Sequence, residues 1–133
     1  MTTDEKFDYW LELAQYDLDS ASAMFSSGRW FYVAFMCQQS IEKLCKGLYT
    51  AYLDDNVPRT HNIRQIFLRF SDKLPTEADN DMCAIFDILS AHYLTNRYPD
   101  FSSQPRQQVS QAEAELLLAR TKEAFSWLLT LRP

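Results

Sequence analysis

WFYVAFMCQQSIEKLCKGLYTAY, the stretch from Trp30 to Tyr52, contains no proline and a single glycine. Its apolar residues recur every three or four positions, which is the period of an α-helix with a wide apolar arc. A helix that is apolar around most of its circumference must be surrounded by other elements, so this segment is predicted to be the central helix of the fold. The arc comprises Trp30, Val33, Ala34, Cys37, Ile41, Leu44, Leu48 and Tyr52, and the narrow polar stripe that remains comprises Gln39, Glu42, Lys43, Lys46 and Thr50.

Four other segments show the same helical period. They cover about residues 4–26, 62–71, 76–96 and 110–131, and the second of them is short. Ser or Thr followed three residues later by Glu, the capping-box spacing, marks two of the helix starts, at Thr2 and Ser110. Residues 97–109 lack periodicity and contain two prolines, which predicts a long loop. The expected fold is all-α, an antiparallel up-and-down bundle of four long helices plus one short helix, in a single domain spanning residues 1–133.

Composition excludes several classes of protein. The 133 residues are 47% hydrophobic and include only 2 glycines, too few for the Gly-rich phosphate loops of dinucleotide-binding and P-loop proteins. No apolar run approaches the ~20 residues of a membrane span, and the N-terminus carries acids where a targeting segment would be basic. The three cysteines, Cys37, Cys45 and Cys83, are odd in number and lack metal-ligand spacing. We therefore expect a cytoplasmic protein with free thiols, no bound metal, no cofactor and no membrane contact.

The charge balance limits the partners. The formal net charge is −5, which argues against holding DNA by bulk electrostatics, so any contact with RNA or a nucleotide must be local. Residues 1–27 contain six acidic side chains and one basic one. An acidic helix of this kind is equally able to face a basic protein partner.

The polar stripe of the central helix is the first candidate site. Gln39, Lys43 and Lys46 fall on one side of the helix, where two lysines could bind a phosphate as point charges. Glu42 and Lys46, four residues apart, could instead form an ordinary helix ion pair worth a few tenths of a kcal/mol. The sequence leaves both interpretations open.

The end of the fourth helix is the second candidate site. His92, Asn96 and Arg97 could share one polar face there, leading into Tyr98 and Asp100. An arginine at the mouth of a bundle suits bidentate recognition of phosphate or carboxylate. The alternative is that Arg97 caps the last helix carbonyls or pairs with Asp100.

The other histidine, His61, precedes Asn62 at the start of the short helix, where Thr60 or Asn62 would act as the cap. It could be a general base, although a structural histidine is the favoured interpretation.

Four motifs follow one another along the chain, Trp10-x-x-x-Ala14-x-x-Asp17-Leu18-x-x-Ala21, Gly28-x-x-x-x-x-Ala34-x-x-Cys37-Gln38-Gln39-x-x-Glu42-Lys43-x-x-Lys46, His61-Asn62-Ile63 and Asn96-Arg97-Tyr98-Pro99-Asp100. Taken in order, these motifs resemble the HEPN (higher eukaryotes and prokaryotes nucleotide-binding) domain family over nearly the whole chain. The resemblance implies a helical bundle that usually forms a homodimer. It also implies a frequent partner, a minimal nucleotidyltransferase encoded beside it, in a toxin–antitoxin or nucleotide-modifying pair.

Many relatives of this kind are metal-independent ribonucleases, and their motif is an Arg followed after four to six residues by a His. Arg97 resembles the first half of that motif, but Ser102, Ser103 and Gln104 occupy the positions of the histidine. Losing a general acid–base removes a factor of ~10²–10⁴ in rate. His61 or His92 could substitute only if the fold brings one of them beside Arg97, and His92 is the nearer in sequence.

Three functions therefore remain. The first is a non-catalytic, dimeric protein that binds a nucleotide or a nucleotidyltransferase. Its ligand-binding residues would be Gln39, Glu42, Lys43, Lys46, Asn96, Arg97, Tyr98 and Asp100. The alternative is a divergent endoribonuclease built on Asn96, Arg97 and an unusual base such as His92 or Asp100. The third is a partner subunit whose site lies wholly in the nucleotidyltransferase, with Arg97 only holding the dimer together.

Overall fold

The computed structural model describes the backbone of residues 1–97 and 109–133 and the side chains of residues 1–93 and 109–133. Within these residues the protein is all-helical and contains no strand, as predicted. The helices are α1 (Thr3–Ser26), α2 (Trp30–Tyr52), α3 (Ile63–Phe70), α4 (Asn80–Arg97) and α5 (Gln111–Leu129), with one 3₁₀ turn (Ser71–Lys73) after α3. The loop predicted between α4 and α5 lies outside the described residues over positions 98–108.

Side-chain caps begin the helices at the predicted places. Thr2 Oγ1 accepts a hydrogen bond from the backbone N–H of Glu5 at 3.1 Å, and Ser110 Oγ accepts one from Glu113 at 3.1 Å. Asn62 caps α3 in the same way. Each cap satisfies a backbone N–H that no helix carbonyl can reach. These short-range contacts explain why the predicted and observed helix starts agree within a few residues.

α1 and α2 form a close antiparallel hairpin. Gly28, with φ of +75°, provides the left-handed turn that ends α1, and Ser40 Oγ donates to the carbonyl of Ala14 at 2.9 Å. A Cβ atom on Gly47 would lie 2.9 Å from Cβ of Trp10, closer than side-chain atoms ordinarily approach. A residue without a side chain is therefore required where the two helices meet.

α2 is the central element, as its wide apolar arc predicts. It contacts α1, α3, α4 and α5, and most of its arc is fully buried. Phe35 contacts Tyr93 and Cys45 lies near Cys83, so α4 runs antiparallel to α2. Cys37 lies near Thr121 and Tyr52 contacts Leu131, so α5 runs parallel to α2. These directions give the up-and-down bundle. The polar stripe is partly buried as well, since Glu42 is only 3% exposed and Thr50 4% exposed.

The short helix α3 brings the connector before it against α2. Its apolar face, Ile63, Ile66, Phe67 and Phe70, is buried as predicted, and the ring of Phe67 contacts those of Phe86 and Trp127. This packing places His61 beside Gln38 and Glu42 of α2. None of the helices in the described part of the chain is long and apolar enough to span a bilayer.

Candidate functional site

A buried carboxylate on α2 organises the candidate site. Glu42 Oε1 accepts hydrogen bonds from Gln38 Nε2 at 3.0 Å and from His61 Nδ1 at 2.9 Å, and Oε2 accepts one from Lys46 Nζ at 3.1 Å. Burying a carboxylate is costly unless it is paired and hydrogen-bonded, and these three donors satisfy that condition. The cluster therefore joins two turns of α2 to the connector before α3.

The contact with Glu42 determines the tautomer of the neutral His61 ring. Because an ionised carboxylate only accepts hydrogen bonds, Nδ1 must carry the proton that points at Glu42. In the neutral ring, Nε2 is then the unprotonated nitrogen, able to accept a proton or a hydrogen bond. Gln38 Nε2 also donates to the backbone carbonyl of His61 at 2.9 Å, so both the ring and the backbone of His61 are held by α2. The side chain is nevertheless 47% exposed, which leaves it accessible to a ligand.

An aromatic column connects His61 to α4. The His61 ring lies 4.8 Å from the ring of Tyr93, centroid to centroid, and Tyr93 stacks on Phe35 of α2 at 5.6 Å. Arg97, the last residue of α4, follows Tyr93 by one helical turn. The fold therefore places an oriented imidazole at the same end of α4 that carries Arg97.

The two lysines of the polar stripe have different partners. Lys43 Nζ forms an ion pair with Asp17 of α1 at 2.6 Å, whereas Lys46 Nζ pairs with Glu42. The second pair is the ordinary i,i+4 helix ion pair that the sequence allowed, although it is unusually buried. Gln39 is half-buried. Because an ion-paired ammonium has less free charge to offer a phosphate, neither lysine is a strong anion site by itself.

The structure describes only some of the residues that were predicted to form a site around Arg97. Tyr98 and Asp100 lie outside the described residues, as do the side chains of Asn96 and Arg97. His92 is half-buried on α4, and no described residue hydrogen-bonds to it. Of the two histidines, His61 therefore has the catalytic-type environment, a ring held by a carboxylate.

The sequence favoured a structural role for His61 and did not indicate its contact with Glu42. The available signal was Glu42, an acid inside a helix predicted to be buried on most sides, which requires a partner from another element. Its partner cannot be identified from local spacing, because Glu42 and His61 are separated by 19 residues and a loop of irregular structure.

The thiols do not contribute reactive groups. Cys37, Cys45 and Cys83 are free and buried, and burial raises the pKa of Cys37 to about 11 and also raises the pKa values of Cys45 and Cys83. A thiol protonated at neutral pH is neither a good nucleophile nor a good metal ligand. Within residues 1–93 and 109–133, no three His, Cys, Asp or Glu side chains converge in a way that could hold a metal ion.

Comparison with known proteins agrees with the fold. The family model of the HEPN domain matches residues 7–131. The crystal structure of TT1696 from Thermus thermophilus is similar with a TM-score of 0.81 and 20% identity, over 94% of this chain and 97% of that one. ST0689, an archaeal HEPN homologue, is similar with a TM-score of 0.74 and 22% identity, over 96% of this chain and 98% of that one. No curated protein matches the sequence.

Proposed function

The chain belongs to the HEPN domain family, and from that premise we propose that it is a cytoplasmic nucleotide-binding partner protein whose ligand lies where His61 meets the end of α4. The observation that carries the proposal is the fixed, half-exposed ring of His61, held by Glu42 and packed against Tyr93. An oriented imidazole beside an aromatic ring can receive a base or a phosphate with little loss of side-chain entropy.

Arg97 supplies the charge in this proposal. A guanidinium matches a phosphate with two parallel hydrogen bonds, and it remains charged at every physiological pH. The phosphate would be bound between Arg97 and Nε2 of His61. Lys46 would contribute long-range attraction, since its charge is already shared with Glu42.

We test this with thermal unfolding of the wild type, Arg97→Ala, His61→Ala and the control His92→Ala, each titrated with ATP, GTP and a short RNA. A ligand at a hundredfold excess over Kd stabilises the native state by ~2.7 kcal/mol, on the order of 10 °C for a domain of this size. The proposal predicts a nucleotide-dependent shift that is lost in Arg97→Ala and His61→Ala and kept in His92→Ala. If no ligand shifts the wild type, the protein is instead a partner subunit whose site lies wholly in a nucleotidyltransferase.

The proposed assembly is a homodimer that acts with a minimal nucleotidyltransferase. A groove between α4 and α5 supports the dimer, because the apolar side chain of Leu116 in its lining is 57% exposed. The groove also contains both charge signs, Asp81 and Glu123 with Arg120, as a self-complementary interface requires.

Light scattering checks the assembly. Leu116→Glu is expected to convert a dimer to a monomer, while Tyr16→Glu, at an exposed residue of α1, leaves the mass unchanged. A monomeric wild type would remove the dimer from the proposal. Where a neighbouring gene encodes a minimal nucleotidyltransferase, co-expression and copurification test the partner.

The second candidate function is a metal-independent endoribonuclease, and the His61–Glu42 pair is the observation that favours it. Nε2 of neutral His61 would take the proton of a ribose 2′-OH, and the 2′-oxygen would attack the adjacent phosphorus. The bond from phosphorus to the 5′-oxygen breaks, and that oxygen leaves with a proton from the imidazolium or from water. The products are a 2′,3′-cyclic phosphate and a 5′-OH end. Arg97 would stabilise the charge on the phosphoryl oxygens.

This candidate is tested by cleavage of a labelled RNA in the presence of EDTA. Activity that falls ~10²-fold or more in His61→Ala, falls in Glu42→Gln and persists in His92→Ala supports it. The absence of cyclic-phosphate product from the wild type rules against it and leaves the binding function.

A further inference from the structure

A second groove with an unusual charge pattern lies next to His61. It is formed by the connector before α3 and the outer face of α3, and its lining residues are Pro58, Arg59, Thr60, Gln65, Leu68 and Arg69. No acidic side chain is among them. By contrast, the α4–α5 groove contains Asp81 and Glu123 beside Arg120.

Arg59 and Arg69 are both exposed, and neither pairs with a carboxylate in the described part of the chain. Five other Lys and Arg residues in the described part of the chain do have acidic partners. The observed pairs are Lys6 with Asp55, Lys43 with Asp17, Lys46 with Glu42, Arg64 with Asp87, and Arg132 with Asp4 and Asp8. Two unpaired guanidiniums in one acid-free groove therefore concentrate positive potential.

The hydrogen-bonding groups of the groove are also biased toward donors. The hydroxyl of Thr60 donates to Gln65 Oε1 at 3.2 Å and accepts from the backbone N–H of Asn62 at 3.1 Å. Gln65 Nε2 is left as a donor with no described partner. A position near the end of a helix accounts for a basic residue at Arg69, but not for Arg59 nor for the absence of acids.

One edge of the groove is apolar. Leu68 is 59% exposed, and Pro58 lies beside the two arginines in the lining. A matching ligand therefore carries negative charge next to a flat apolar group, which is the chemistry of a nucleotide unit. The backbone of Thr60 is bonded to that of His61, so the Cα atoms of the two residues are about 3.8 Å apart.

We propose that this groove binds a phosphodiester of a short single-stranded oligonucleotide whose neighbouring nucleotide occupies the His61 site. The inference rests on the proposed function, because it extends the same ligand by at least one nucleotide. Arg59 and Arg69 hold the phosphate, and Leu68 with Pro58 packs against the sugar or base. The preferred ligand is therefore an oligonucleotide rather than a mononucleotide.

The test compares Arg59→Gln/Arg69→Gln with the control Lys73→Gln/Lys122→Gln, which makes the same change in net charge at exposed residues outside the groove lining. Binding of a fluorescein-labelled five-nucleotide RNA is measured by anisotropy over a range of salt concentrations, and AMP binding is measured by calorimetry. All four substituted positions are exposed, so a thermal midpoint close to that of the wild type confirms that each variant folds.

In the wild type, the RNA is expected to bind more tightly than AMP. The double groove variant should lose on the order of a hundredfold in RNA affinity, about tenfold for each arginine, and the slope of log affinity against log salt should fall by about 0.7, the value for one phosphate of a single strand. AMP affinity should stay the same in both variants, and the control should bind RNA like the wild type.

Three results would overturn the groove proposal. They are an unchanged RNA affinity in the groove variant, an equal loss in the control, which would indicate bulk charge, and a wild type that binds RNA no more tightly than AMP. In the last case, AMP binding that depends on His61 leaves the proposed function standing. Conversely, arginine-dependent RNA binding without any AMP binding supports the groove and contradicts the mononucleotide site.

Discussion

Two neighbouring residues of α2 carry charge to different sides of the helix. Lys43 faces α1, where it pairs with Asp17 at 2.6 Å, and Glu42 faces the connector before α3, where it meets His61. Successive residues on a helix point about 100° apart, which is enough to reach different neighbours. The Lys43 pair joins two helices that already pack closely. The Glu42 cluster instead attaches an irregular segment to the core and presents a histidine.

The difference separates a charge pair that joins two helices from a carboxylate that orients a residue of the candidate site. At Lys43 both partners lie on regular helices, and the contact adds to an extensive apolar interface. At Glu42 the carboxylate is only 3% exposed and has three donors, while the histidine it orients is half-exposed. A functional site requires this combination of a fixed side chain and an accessible nitrogen.

The largest expected effect is that of Glu42→Ala. Removing the carboxylate leaves Lys46 Nζ and one of the two N–H groups of Gln38 Nε2 without an acceptor in a buried setting, so the free energy of unfolding should fall by about 3 kcal/mol or more. Urea denaturation measures it, and Glu42→Gln, which keeps the volume and one acceptor oxygen, should lose less. A loss below ~1 kcal/mol for Glu42→Ala would mean that the Glu42 cluster does not stabilise the fold.

Gly47→Ala tests the other side of α2, where the hairpin is tightest. The added Cβ would lie 2.9 Å from Cβ of Trp10, so the helices must separate. Overpacking of this kind costs about 1–3 kcal/mol, partly offset by the better helix propensity of alanine. Thermal unfolding should show a lower midpoint, with Gly47→Ser at least as destabilised. An unchanged or raised midpoint would show that the hairpin can relax.

Asp17→Ala removes the partner of Lys43 and should cost about 1–2 kcal/mol. The side chains of Lys43 and Asp17 are 27% and 13% exposed, so solvent screens this pair more than the Glu42 cluster. A double-mutant cycle with Lys43→Ala isolates the coupling energy. If that energy equals or exceeds the coupling between Glu42 and Lys46, the proposed ranking of the two sides of α2 is wrong.

His61→Ala should have a small effect on stability, about 0.5 kcal/mol, because the side chain is half-exposed and Glu42 keeps two donors. Chemical denaturation checks this, with His92→Ala as the matched histidine control. The same variant should lose the nucleotide-dependent thermal shift. A loss of several kcal/mol instead would make His61 a structural residue and remove the main support for the site.

The smallest effect is expected for the buried thiols on the apolar faces of α2 and α4, which should not react in the native protein. With the pKa of Cys37 at about 11, roughly one molecule in a thousand carries that thiolate at pH 8, and burial blocks access as well. Iodoacetamide at pH 8 should label the native protein far more slowly than the urea-unfolded one.

Because the folded-state pKa of Cys37 is raised above that of the unfolded thiol, its contribution to stability is complete below about pH 8.5 and is lost as the pH rises toward 11. Rapid native labelling of Cys37 would contradict this burial.

The helices and their faces were predictable because the signals are local. Thr2, Asn62 and Ser110 cap through contacts three residues long, and the apolar periodicity of α3 and α5 was sufficient to identify their buried faces. The ordered set of motifs also indicated the correct family. Both kinds of information lie within a few turns of chain or in the order of motifs along it.

The contacts of the site were not predictable in the same way. From the spacing alone, Lys43 and Lys46 belong to one stripe, yet one pairs with α1 and the other with Glu42. Asp17 lies 26 residues from Lys43, and His61 lies 19 from Glu42. His92 is nearer to Arg97 in sequence, but His61 is the histidine that a carboxylate orients. This is because the packing of α3 sets the position of the connector before it.

Short-range physics in the chain was therefore enough to specify a bundle of helices around α2, since helical periodicity and capping depend on residues three or four apart. The elements that pack against each face of α2 decide which charged residues join two helices and which form the candidate site. Glu42 acquired its role only when α3 packed against the core, because a buried carboxylate must find its donors in three dimensions and not along the chain.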